Sequence, residues 1–285
     1  MTYERLGPAG LDYAPCRYGG SRVLFRGPQA DLRQQHVMFL GGTATYGKFV
    51  PRPFPALIEA ETGLRCANLG AVNAGPDLYL NDPALLDLTQ GAMATVIQVM
   101  GVPNMSNRYY SVHPRRNDRV LRASNLLKTD YREVDFTAFH FTRHMLATLQ
   151  ALSEERFAVL MADLRAAWLD RMTRLIGAVG SPVILLWMAD RGVGQRAGAE
   201  VPVADQADPL FVDRVMMARL QGQVAAVVEV VEDPGMRRRA DGMVYSRMEA
   251  AAAKSQLGIP TQVSAARALV PVLRQVLADR PVLLN

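Results

Sequence analysis

Hydrophobic residues fall along this chain in short unbroken runs, most of them closed by glycine. Val37-Met38-Phe39-Leu40 runs into Gly41-Gly42, Arg65-Cys66-Ala67-Asn68-Leu69 into Gly70, and Thr95-Val96-Ile97-Gln98-Val99-Met100 into Gly101. Two further runs occupy 182–187 and 224–231. Such short runs, apolar on both faces, predict buried strands of a parallel sheet. Between them the pattern is helical. Residues 53–63 open on proline and end on glycine, the usual asymmetry of a helix, and Asp82-Pro83 opens a second helix through 90. Within 153–179, Phe157, Leu160, Leu164, Trp168, Leu175 and Ile176 share one face, as a core-facing helix requires. Helices are also expected over 136–150, 209–221, 245–255 and 262–279. The stretch between 102 and 135 reads as a long connection, and 192–208 as a polar loop.

Five apolar strands alternating with helices predict an α/β fold, a three-layer α/β/α sandwich around a five-stranded parallel sheet. No internal repeat or linker divides 36–285, which reads as a single domain. Residues 1–35 mix Gly, Pro, Arg and aromatics without a helical period. They read as an N-terminal arm or hairpin lying against that domain, or exchanged with a partner.

Composition narrows the function classes only modestly. The 285 residues carry a net charge of +5, which favours anionic ligands, but no long basic run or aromatic-basic motif points to nucleic acid. No apolar run is long enough for a transmembrane segment, and the first residues lack the apolar stretch of a secretory signal. A cytoplasmic location is expected. The two cysteines, Cys16 and Cys66, have no metal-ligand spacing and read as reduced and structural. No cofactor is expected.

The chemistry concentrates where the first three strands end. In an open α/β sheet, ligands bind beyond the carboxyl ends of the strands, which puts Gly42-Thr43, Gly70-Ala71-Val72-Asn73 and Gly101-Val102-Pro103-Asn104 on one rim. Thr43 stands where the fold places a reactive or anchoring hydroxyl; the alternative is that Gly41 and Gly42 only turn the chain while Thr43 caps a helix. The order and spacing of these three turns resemble the SGNH/GDSL hydrolase superfamily over roughly 36–105, and the resemblance implies an SGNH/flavodoxin-like sheet. That superfamily has a Gly-Asp-Ser turn after its first strand, a glycine after the second, a Gly-x-Asn-Asp turn after the third and an Asp-x-x-His pair before its last helix. The resemblance implies Thr43 at the nucleophile position, and Gly70 and Asn104 as oxyanion donors beside the backbone of Thr43. Here Gly42 replaces the family's Asp and Thr43 its Ser. His144 is the last histidine in the chain, so the Asp-x-x-His pair has no counterpart. The full-length pattern, with His113-Pro114-Arg115-Arg116-Asn117-Asp118, also resembles an uncharacterised family described only as a domain of unknown function.

Two more constellations lie near this rim. Between 106 and 122 there are five arginines and one acid. Arg108, Arg115 and Arg116, with Asn107, Gly42 and Asn73, are the candidate binding residues, because guanidinium groups suit phosphate, sulfate or carboxylate. The alternatives are a solvated loop or arginines paired across a homodimer. His140 and His144, four apart, would share a helical face and could ligate a metal, but a helix packed on the sheet explains them as well, and no metal is expected. His113 or His140 is a candidate displaced base for Thr43. The function these residues imply is ester or acyl hydrolysis or transfer on an anionic small molecule or glycan, without the usual C-terminal histidine. The alternative is a non-catalytic binder of a phosphorylated or sulfated ligand. Group transfer from a nucleotide-bearing donor ranks last, because Gly41–Gly47 lacks the Lys-Ser/Thr ending of a phosphate loop.

Overall fold

The computed structural model describes residues 10–195, 201–203, 206 and 208–279. Residues 1–9 of the expected arm, and 196–200, 204, 205 and 207 of the expected polar loop, lie outside them. In chain order the elements are β1 (His36–Gly41), α1 (Thr43–Tyr46), α2 (Phe54–Thr62), β2 (Arg65–Gly70), α3 (Pro76–Leu80), α4 (Pro83–Thr89), β3 (Ala94–Gln98), β4 (Tyr110–His113) and β5 (Arg116–Ala123). There follow α5 (Asn125–Asp130), α6 (Thr142–Leu152), α7 (Glu154–Ala178), β6 (Val183–Ala189), α8 (Arg214–Gln221), β7 (Ala226–Val231), α9 (Ala250–Lys254) and α10 (Ile259–Ala278). The main sheet runs β2-β1-β3-β6-β7 with every pairing parallel. The five strands are those the apolar runs predict.

Both faces of the sheet are covered, and strand alternation sorts the side chains between two cores. Met38, Leu40, Leu69, Ile97, Leu185 and Trp187 face α3, α6 and α7 in the larger core. Val37, Phe39, Val96, Ile184, Leu186 and Val228 face α2 and α10 in the other. Tyr18, Val23 and Phe25 of the N-terminal segment insert into the larger core, and Cys16 and Phe25 form an antiparallel bridge. In α7, Ser153 caps the first turn by accepting from Arg156 N–H, and Glu154 and Glu155 sit at the positive end of the helix dipole. The indole N–H of Trp168 donates to Met100 O at 2.9 Å, which ties α7 to the chain leaving β3.

Two outward N–H groups of the edge strand β2 are covered. Glu59 accepts from Cys66 N–H at 2.9 Å and Asn68 Oδ1 from Gly70 N–H at 2.9 Å, which removes two of the donors another strand would pair with.

Three expectations need correction. The connection 102–135 contains the antiparallel hairpin β4–β5 and helix α5; Tyr110, Val112, Ala123 and Leu127 join the larger core. The helix expected over 136–150 begins only at Thr142. Phe139 and Phe141 are extended, because Val120 N–H donates to His140 O at 3.0 Å and Arg119 bridges Phe141; the edge of β5 captures backbone that periodicity assigns to a helix. The helix expected from 209 starts at Arg214, where Asp213 accepts from Met216 N–H as its cap. Among the described residues no helix is long and apolar enough to cross a membrane.

One buried ion pair fixes the layer over the rim. Asp77, only 4 % exposed, accepts from Arg171 Nε at 3.0 Å and from Ser106 N–H at 2.8 Å, joining α3, α7 and the segment after β3. Arg171→Met keeps the apolar stem but leaves this carboxylate without its cation. The unfolding free energy should fall by about 2–3 kcal/mol in urea denaturation, and adding Asp77→Asn should recover part of it.

Candidate functional site

The β1–α1 turn is built around one amide oxygen. Gln98 Oε1, at the end of β3, accepts from Gly42 N–H at 3.2 Å, Thr45 N–H at 3.0 Å and the Thr45 hydroxyl at 2.6 Å. A Cβ on Gly41 would stand 2.3 Å from Thr45 Oγ1 and 2.6 Å from Gln98 Cβ, so only glycine lets these groups close. The fully buried Tyr79 hydroxyl accepts from Gly41 N–H at 2.8 Å and lies 2.7–2.8 Å from the carbonyls of Gly41 and Leu69; burial drives its pKa far up, so it stays protonated.

A single helical turn such as α1 does not hold itself. Its carbonyls are taken by side chains from three directions: Ala44 O by Gln262 at 3.0 Å, Thr45 O by Asn68 at 2.8 Å, and Gly47 O by Arg26 at 2.5 Å.

Thr43 opens this turn and faces Asn73. Its hydroxyl donates to Asn73 Oδ1 at 3.1 Å and accepts from Asn73 N–H at 3.0 Å. Asn73 adopts φ +55°, a left-handed conformation that Asn tolerates better than most residues. Its amide Nδ2 donates to Asp118 Oδ2 at 2.9 Å, and its carbonyl accepts from Asn104 Nδ2 at 3.0 Å. Asn104 Oδ1 accepts in turn from the Thr142 hydroxyl at 2.9 Å. The next turn is equally close: a Cβ on Gly75 would lie 1.6 Å from Asn104 O, and Gly75 N–H donates to the buried Asn117 Oδ1 at 2.9 Å.

Asp118 and Asn117 arrive through a break in the hairpin. Val112 is opposite Val120 while His113 is opposite Arg116, so 117–119 bulge out of the ladder and two polar side chains are re-aimed at the rim.

The predicted residues sort into three groups. Thr43, Asn73 and Asn104 are brought together, and Gly42 lies beside them with its N–H on Gln98. Gly70, the expected oxyanion donor, has its N–H on Asn68, and a Cβ there would lie 2.3 Å from Tyr46 N; its role is to let α1 approach β2, and the backbone N–H at the hydroxyl is that of Asn73. His113 accepts from Arg115 N–H at 3.2 Å. All four histidines are described, and none of their rings bonds Thr43 among the described residues. His140 and His144 do not share a helix face, because His140 precedes α6; the ring of His144 stands edge-on to Phe139, centroids 5.0 Å apart. Among the described residues no group of three or more His, Cys, Asp or Glu is placed to hold a metal.

Of the expected anion clamp, Arg108 is engaged by Asp163 of α7 and by the Tyr109 ring. Asn107 shapes the turn, its Oδ1 accepting from the N–H groups of Tyr109 and Tyr110. Arg115 and Arg116 lie exposed at the hairpin tip, their guanidinium groups without partners among the described residues. Sequence reasoning missed Asp118, Asn117, Gln98, Tyr79 and Thr142. Only Asn117-Asp118 left a trace, as the polar end of a stretch noticed for its arginines.

Topology and turn together define a doubly wound α/β protein. Its site lies beyond β1, where the chain crosses from β2 to β3, the place such sheets bind ligands. The chain belongs to the family described as Domain of unknown function (DUF6473), whose model matches residues 1–277. Similar solved structures include a carbohydrate esterase family 2 enzyme with a carbohydrate binding domain from Corynascus thermopiles (Myceliophthora fergusii), 12% identical over 89% of this chain and 69% of that one, with a TM-score of 0.45. Axe2, an acetylxylan esterase from Geobacillus stearothermophilus, is 13% identical over 84% of this chain and 94% of its own, with a TM-score of 0.42. The lipase Lip_vut3 from a goat rumen metagenome is 12% identical over 85% and 97%, with a TM-score of 0.37. No curated protein matches the chain.

Replacing Gln98 by Met leaves three donors of the turn without their acceptor. Gln98→Met should lower the unfolding free energy by about 3 kcal/mol, read from chemical denaturation.

Proposed function

We propose that this protein acts at Thr43 on an ester or acyl group of an anionic small molecule or glycan, as an SGNH-like protein that lacks the usual C-terminal histidine. One observation carries the reading. The Thr43 hydroxyl stands just beyond the carboxyl end of β1, against the Asn73 N–H and one amide away from the Asp118 carboxylate. In this reading Thr43 is the nucleophile or acyl anchor. The Thr43 N–H and the second N–H of the Asn104 amide meet the developing oxyanion, where each donor is worth about 3 kcal/mol, while the Asn73 N–H holds the hydroxyl itself. Asn73 and Asp118 orient the hydroxyl, and Arg115 and Arg116 hold the anionic part of the substrate.

A hydroxyl needs a base to attack at neutral pH, and among the described residues none bonds Thr43 directly. That favours a second reading, in which the pocket binds a phosphorylated or sulfated ligand without turning it over.

Hydrolysis of p-nitrophenyl acetate separates the two. Under the first reading Thr43→Ala loses activity by roughly a hundredfold or more while Thr43→Ser keeps it, and equal rates in wild type and Thr43→Ala would remove Thr43 as nucleophile. Under the second there is no turnover, and binding of a sulfated sugar weakens steeply with salt and disappears in the Arg115→Ala/Arg116→Ala double variant.

A further inference from the structure

Behind α1, along the open edge of β2, lies a cavity of about 660 Å³, within the size range of small-molecule sites. Its walls are the segment Arg26–Asp31, the loop through Pro51, Arg52 and Pro53, one face of α2, and Arg65, Cys66 and Asn68 of β2. Prolines and alanine line its apolar side: Pro28, Pro51, Pro53, Pro55 and Ala56. Proline fixes φ, so this wall is formed before anything binds, which reduces the ordering cost of binding.

The charges around the cavity do not balance. Arg26 is only 6 % exposed, and its guanidinium donates to the carbonyls of Gly47 at 2.5 Å, Pro51 at 2.8 Å and Tyr46 at 3.4 Å, with the Tyr13 ring at 5.3 Å. All of these partners are neutral, and among the described residues no carboxylate pairs with it. Burial lowers its pKa accordingly. Buried charges are costly unless paired. The two carboxylates of the cavity are both already paired. Asp31 is held by Arg33 at 2.9 Å, and Glu59 by Arg65 at 3.1 Å and by Cys66 N–H at 2.9 Å. Arg52, exposed on the same wall, has no partner among the described residues.

We propose that this cavity is a second binding site, separate from Thr43, for a small organic anion whose charged oxygens meet Arg52 and Arg26 and whose short apolar body lies against the prolines. The class is defined by one anionic head on a compact hydrocarbon: a lone inorganic anion leaves the walls unused, and a neutral molecule leaves the cations unpaired.

Calorimetric titration of the full chain with hexanoate tests this, with hexanamide and inorganic phosphate as controls. Hexanoate should bind saturably, and hexanamide at least tenfold more weakly. Arg52→Ala, at an exposed position, should weaken hexanoate by tenfold or more, as the loss of a hydrogen bond to a charged group implies. Ala56→Trp should abolish binding by filling the cavity. Circular dichroism and the melting temperature confirm that both variants fold. The proposal is overturned if hexanoate shows no saturable binding, if hexanamide binds equally well, or if phosphate binds as tightly as hexanoate. It is also overturned if Arg52→Ala binds like wild type, or if binding is lost instead in Arg115→Ala/Arg116→Ala, which would place the anion at the hairpin tip. None of these readouts uses activity at Thr43, so this site stands or falls apart from the proposed reaction.

Discussion

The rim of this protein depends on the carboxamide of Gln98. Its oxygen collects three donors from the β1–α1 turn, more than an amide oxygen usually accepts, and it does so inside the sheet, where an unmet donor costs 1–3 kcal/mol. Gly41 follows from this contact, since a Cβ would occupy the space the Gln98 and Thr45 side chains need. So does the position of Thr43, because α1 is too short to define its own axis and takes its direction from what holds its backbone. Gln98 fixes the donor end; Asn68, Gln262 and Arg26 fix the acceptor end. Thr43 is thus set by packing at its back and is free of the core only on its hydroxyl side.

The sheet was legible because buried parallel strands must be apolar on both faces, and β1, β3 and β6 are buried at every position. The hairpin was not, because β5 reads Arg-Asn-Asp-Arg-Val-Leu-Arg-Ala with half its side chains in solvent. A run so polar carries little strand signal, and its partner β4 is only four residues long. His140 and Phe141 failed for a related reason: their helical spacing is genuine, but backbone bonding to β5 takes precedence over it. Local pattern is decisive where burial is two-sided and yields where a neighbouring edge offers hydrogen bonds.

The site divides along the same line. Thr43, Asn73 and Asn104 lie next to glycine turns at strand ends, and those turns are visible in the sequence. Asp118 reaches them only because 117–119 bulge from the ladder, and a break in register leaves no mark in composition. In the sequence Arg108 reads as a ligand clamp because its acid, Asp163, is 55 residues further along the chain on α7. Gly70 and Asn73 differ in which N–H reaches the hydroxyl. The sequence marks the turn by its glycine, but the left-handed residue three positions on presents the donor.

Arg26 joins the two regions. Among the described residues it is a buried cation with no acid paired to it, which would be prohibitive in a hydrocarbon interior. Two of the three carbonyls it binds, those of Tyr46 and Gly47, belong to the end of α1, where helical peptide dipoles present their negative end, and the third is that of Pro51 in the loop beyond. Carbonyl dipoles lower the cost of the charge without cancelling it, so a net positive field persists on the cavity side while α1 is held on the other. Truncating Arg26 would therefore loosen the Thr43 turn and remove one of the cavity's cations together. Arg52, which touches none of α1's carbonyls, can be removed from the cavity's charge without disturbing the turn.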